Sequence, residues 1–104
     1  MSKFDLAQDG IDRAEHHAEM VRRGWRDEAY DMLIAISREL APLEFTAPDV
    51  RRVAEQRGLP SPPSKRAWGG PFLRAQKSGR IVHTGFDRAD REMHSQPIRT
   101  WRAA

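Results

Sequence analysis

The residues of this chain best suited to chemistry are cations. Arg51, Arg52, Lys65, Arg66, Arg74, Lys77, Arg88 and Arg91 all fall in its second half, with Gln76 among them. Lysine and arginine neutralise phosphates, and Arg and Gln are side-chain types that grip base edges through two hydrogen bonds. Their distribution is lopsided. Residues 1–50 hold 6 Lys+Arg against 11 Asp+Glu, a balance of −5, while residues 51–104 hold 12 against 4, a balance of +8. The two halves together give the net charge of +3. Charge segregated in this way puts a field of one sign over one end of a molecule, and a basic end draws polyanions. Scattered arginines would serve only solubility; segregated ones point toward duplex DNA.

Other chemistries find less support. His16 and His17 are neighbours on a predicted helix and point about 100° apart, which is poor geometry for one metal. His83 and His94 can approach each other across a hairpin, but two imidazoles in a chain without cysteine make a weak zinc site. Asp87, Asp90 and Glu92 bunch in a polar loop among arginines, where surface pairing is a more natural fate than holding catalytic metal ions. Gly69–Gly70 lacks the following Gly-Lys-Ser/Thr of a phosphate-binding loop. The expectation is a protein that is not an enzyme and uses neither metal nor cofactor. Trp25, Trp68 and Trp101 have rings that can stack on unpaired bases, yet a domain this small needs them for its core. The lack of cysteine excludes a disulfide framework, and no apolar run approaches the length of a membrane span. Both fit a soluble, cytoplasmic protein.

The elements that must position these cations follow from pattern. A length of 104 residues suits one domain. Residues 1–8 are expected to be flexible and 9–23 to form an extra N-terminal helix, with Asp9 as its cap and Gly24 as its stop. Phe4, Ala7, Ile11, Ala14, Ala18 and Val21 recur at heptad spacing. The seam is thin, so packing onto the rest of the domain is expected, with a homodimer contact as the alternative to a monomer. In the second helix, residues 25–40, Trp25, Ala29, Met32, Leu33, Ile36 and Leu40 share one face, and Pro42 ends it. FTAPDV opens the third: Thr46 caps, Asp49 answers it in a capping box, and Phe45 and Val50 form a hydrophobic staple. Gly58 followed by Leu59 closes it with a Schellman-type stop.

The stretch SKRAWGGPFLRAQKSGRIVHTGF, residues 64–86, carries the fourth helix and the first strand. Ser64 is positioned to cap, and Pro71 forbids a regular helix before it. An irregular turn around Trp68–Gly69–Gly70 is therefore expected, with Pro71 at the start of the regular helix. Phe72 and Ala75 would then face inward, Arg74 and Lys77 outward. RIVHTGF alternates as a strand, QPIRTWR supplies a second, and DRADREMHS between them has the composition of a hairpin tip. A two-stranded hairpin needs helices to pack on, for which Trp68, Phe72, Ile81 and Trp101 are the candidates. The fold class is mainly α with a small β-hairpin (α+β): a winged helix-turn-helix with an extra N-terminal helix.

Trp25, Ala29 and Leu33, then FTAPDV, then a proline-rich turn into AWGGPFLRAQKSGRI and a hairpin ending IRTW, resemble a group of small uncharacterised bacteriophage and prophage proteins. The resemblance covers about residues 11–102 on a pattern reading and implies a winged-helix domain of mobile-element origin. Pro71 departs from it, since a helix former is usual there. In that layout the helix after the turn enters the major groove. Lys65, Arg66, Arg74, Gln76 and Lys77 would face the DNA, Arg88 and Arg91 would reach from the wing, and Arg51 and Arg52 would touch the backbone. The function expected is duplex binding as a regulator or replication accessory. The alternative is a protein–protein adaptor that meets a basic partner through the acidic N-terminal half, because winged helices serve both ends.

Overall fold

Apolar residues at helical spacing put the second helix at the centre of the fold. In the computed structural model, which describes residues 3–87 and 97–104, α2 (Trp25–Leu40) buries Trp25, Ala29, Leu33 and Ile36 on one face. Met32 and Leu40 pack at the edge of that core. Ser37 is buried as well, its hydroxyl turned back onto the Ile34 carbonyl at 2.8 Å.

α3 (Ala47–Gln56) has the boundaries its sequence predicts. Thr46 accepts from the Asp49 backbone N–H, and Asp49 Oδ2 accepts from the Thr46 N–H at 2.9 Å. Phe45 and Val50, the staple pair, are both buried. At the other end the Leu59 N–H reaches the Ala54 carbonyl and the Gly58 N–H the Glu55 carbonyl. That is the Schellman pattern, with Gly58 at φ 98°.

The fourth helix enters through a 3-10 turn, Lys65–Trp68, whose cap is the Ser64 hydroxyl accepting from the Arg66 N–H. α4 (Gly69–Lys77) follows without a break, with Pro71 third in its first turn rather than first. Its missing N–H costs nothing there. Pro71, Phe72 and Ala75 face inward, while Arg74 and Lys77 are exposed.

β1 (Ile81–Asp87) and β2 (Ile98–Ala103) pair antiparallel, from Ile81 opposite Ala103 to Asp87 opposite Ile98, with an irregularity between His83 and Gly85. Phe45 adds an isolated bridge to the other side of β2, exchanging two backbone hydrogen bonds of 2.8 Å with Trp101. The last strand thus has a partner on both edges. Rings fill the space beneath it: Phe72 lies between Phe45 and Trp101, at centroid distances of 6.3 and 5.6 Å. Trp68 meets Trp25 edge-to-face at 5.5 Å. All three tryptophans are core residues; none presents its ring to a base.

The N-terminal helix differs most from expectation. α1 (Lys3–Val21) begins six residues before Asp9, which therefore lies inside it rather than capping it. Ala18 is buried and Ile11 and Ala14 half-buried against the domain, whereas Val21 is 65% exposed. The side chains of Phe4 and Ala7 lie outside the described residues. The result is an α+β architecture, four helices and a two-stranded hairpin, and none of the described helices is long and apolar enough to cross a membrane.

Candidate nucleic-acid interface

The cations singled out by sequence fall into separate groups. Arg51 on α3 and Lys65 on the 3-10 turn come together over a small apolar hollow of about 100 Å³, formed with Ala47, Pro48 and Trp68. Arg52, on the exposed side of α3, is paired with Asp49 at 2.8 Å. Arg66 is exposed, and its guanidinium lies against Gly10 of α1. Gln76 and Lys77 are exposed on α4. Neither Arg66 nor Lys77 forms an ion pair among the described residues. Arg88 and Arg91 lie outside the described residues, as do Asp90, Glu92 and His94.

Arg74 has a different role from the one its exposure suggests. Its guanidinium lies 3.0 Å from Asp27 Oδ1 and 4.0 Å over the Tyr30 ring, both on α2. The Tyr30 hydroxyl in turn meets the Ser78 hydroxyl at 3.0 Å, just past the end of α4. Arg74 therefore ties α4 to α2, and its charge is already answered by a carboxylate.

The face of α4 directed away from the core is set by helical geometry. With Pro71, Phe72 and Ala75 inward, about 100° per residue puts Gly70, Leu73 and Lys77 on the opposite side. α1 lies across part of that side. A Cβ at Gly69 would come within 2.9–3.0 Å of three side-chain atoms of Ile11, and one at Gly70 would overlap the Glu15 carboxylate. The glycine pair is thus what allows two helices to approach this closely. Between them runs an open groove of about 520 Å³ lined by Asp12 and Glu15 of α1 and by Leu73, Arg74, Lys77 and Ser78.

Two carboxylates fasten α1 to α2. Glu15 forms an ion pair with Arg26, Nε to Oε1 3.5 Å. Burial raises the Glu15 carboxyl above its ordinary range, and Arg26 opposes that rise. Glu19 does the capping that Gly24, without a side chain, cannot: it accepts from the backbone N–H of Gly24 at 2.8 Å and of Arg26 at 3.0 Å. These bonds favour its charged form, the Arg26 N–H most, and hold its carboxyl below the ordinary value.

On the hairpin, Phe86 is exposed and pairs across the strands with Arg99. The His83 ring lies 5.2 Å from Phe86 and 5.3 Å from Trp101, a packing position. His16 and His17 are exposed. Among the described residues no three His, Asp or Glu side chains are grouped to hold a metal ion. Arg99 is exposed on β2, outside the hairpin tip in which sequence reasoning looked for cations. Compared with family models, with curated proteins and with solved structures, the chain has no match.

Proposed function

We propose that this protein is a winged helix-turn-helix domain that binds duplex DNA, with the 3-10 turn and α4 in the recognition position and the hairpin as the wing. The observation that carries the reading is the order of elements around β2. α2, the Phe45 bridge, α3, α4, β1 and β2 follow one another, and the bridge supplies the short strand that such a layout places after its first helix. On this frame Lys65, Arg66, Gln76 and Lys77 belong to the reading element, Arg51 to the backbone contact, and Arg99 joins Arg88 and Arg91 on the wing. Arg74 and Arg52, each already paired with a carboxylate, take no direct part. A phage- or prophage-derived regulator or replication accessory of the cytoplasm, not an enzyme, is the role that goes with this reading and with the resemblance of the AWGGPFLRAQKSGRI and IRTW segments.

Titration of a fluorescent random-sequence duplex at low and near-physiological salt tests it. Binding that weakens steeply with salt, and is lost in Arg66→Glu and Lys77→Glu while the thermal melt is unchanged, is the expected result. Affinity indifferent to salt and to both substitutions would reject it.

A second reading is favoured by one observation. α1 covers the outward side of α4 at Gly69 and Gly70, and a helix covered at its N-terminal turn is badly placed to enter a major groove. A non-enzymatic protein–protein adaptor that uses the acidic N-terminal half has no such conflict. Recovery of a stable protein complex that survives nuclease treatment, together with no duplex binding at low salt, would favour it.

A further inference from the structure

We propose that α1 is a displaceable cover that closes the DNA-binding side of α4 with its own acidic residues. This rests on the DNA-binding reading and resolves the conflict just described.

Three features of the contact support it. The first is position: α1 meets α4 at Gly69 and Gly70, beside Leu73 and Lys77, on the side opposite the core. The second is chemistry. α1 brings the carboxylates of Asp12 and Glu15 to the groove that also holds Lys77, and their like charge opposes a phosphate that enters it. A duplex approaching α4 repels the cover while attracting what lies under it.

The third is the small size of the apolar side chains in the described part of the attachment. Among the described side chains, α1 presents Ile11, Ala14 and Ala18 to the domain, only the last fully buried, whereas α2 and α4 meet the core through tryptophan, leucine and phenylalanine. Buried apolar area sets the strength of such contacts, and this stretch of α1 buries smaller side chains than α2 or α4 does. Glu15 is held in a place that costs it hydration. The segment Arg22–Gly24 separates α1 from α2, and opening of the cover breaks the polar ties across it, the Glu15–Arg26 pair first. A closed cover lowers apparent affinity by the fraction of molecules that are open.

The chain contains no cysteine, so the double variant Ile11→Cys/Gly69→Cys has one disulfide available to it. The close approach of position 69 to the Ile11 side chain suits that bond. The oxidised form is expected to bind the fluorescent duplex about tenfold more weakly than the reduced form, within the range of coupled sites, with both forms melting cooperatively. A second variant needs no cross-link: Ile11→Ala/Glu15→Gln loosens the cover and should bind more tightly than wild type. Glu44→Gln, which removes the same charge elsewhere on the exposed surface, should not. Duplex binding equal in the oxidised, reduced and loosened forms would overturn the cover and leave the DNA reading standing. No duplex binding by any form, including the loosened one, would overturn both.

Discussion

The two sides of α4 are held by different kinds of contact. Inward, Phe72 sits between Phe45 and Trp101, Ala75 and Pro71 are enclosed, and the preceding Trp68 meets Trp25. Outward, two glycines admit one isoleucine and one glutamate of α1 at close range. Large rings that exclude water contribute stability in proportion to the area they bury, and interiors packed this way tolerate little loss of volume. Small residues allow close approach but bury little. One helix thus has a side enclosed by large rings and a side that the proposed cover would leave on opening, and Lys77 lies on the second.

The largest effect should come from breaking the inner side. Phe72→Ala removes a ring that bridges Phe45 and Trp101 and is expected to cost about 3–5 kcal/mol. Because domains of this size are stable by only about 5–15 kcal/mol, the loss is a large share of the total and should move the denaturation midpoint markedly. Chemical denaturation monitored by tryptophan fluorescence measures this. A loss below about 1 kcal/mol would mean that the aromatic cluster is not the keystone of the core.

The outer side should respond locally. Ile11→Ala is expected to cost about 1–2 kcal/mol, given that the side chain is only half-buried. The loss should appear in α1 first. Native-state hydrogen exchange should show faster exchange of α1 amides with the most protected α2 amides unchanged, the behaviour of a unit that opens on its own. Equal acceleration in α1 and α2 would show that the two helices open together and would blunt the contrast.

Much of the inner side was legible in the sequence, and little of the outer. Trp25–Leu40, the Thr46–Asp49 box, the Gly58–Leu59 stop and the two strands are local patterns, and the structure has all of them, although the strands do not alternate in burial as RIVHTGF suggests. Gly69–Gly70 was also noticed, but as an irregularity forced by Pro71. Its other role, admitting Ile11 and Glu15, depends on residues more than fifty positions away, and no periodicity reports that. The same holds for Arg74, whose partners Asp27 and Tyr30 lie 47 and 44 positions earlier. Spacing reveals which side of a helix a cation occupies, not whether an acid waits there. α1 itself was begun too late because Asp9 has the side chain of an N-cap, whereas in the structure the helix already runs through it from Lys3.

The smallest effect separates a tie from a contact, and it concerns Arg74 and Lys77, three residues apart on α4. Arg74→Ala removes an exposed pair with Asp27 and a cation–π contact with Tyr30. Together these are expected to stabilise by no more than about 1 kcal/mol, because solvent screens an exposed pair. Lys77→Ala removes no ion pair and should leave the melt unchanged. In duplex binding the order reverses. Each phosphate contact contributes about one unit to the slope of log affinity against log salt, so Lys77→Ala should flatten that slope while Arg74→Ala leaves it as it is. A flattened slope for Arg74→Ala would mean that the Asp27 pair breaks on binding and that α4 meets DNA through the side turned to α2. Both sides of the helix would then be working surfaces, and the contrast between a fixed and an openable side would have to be redrawn around α2.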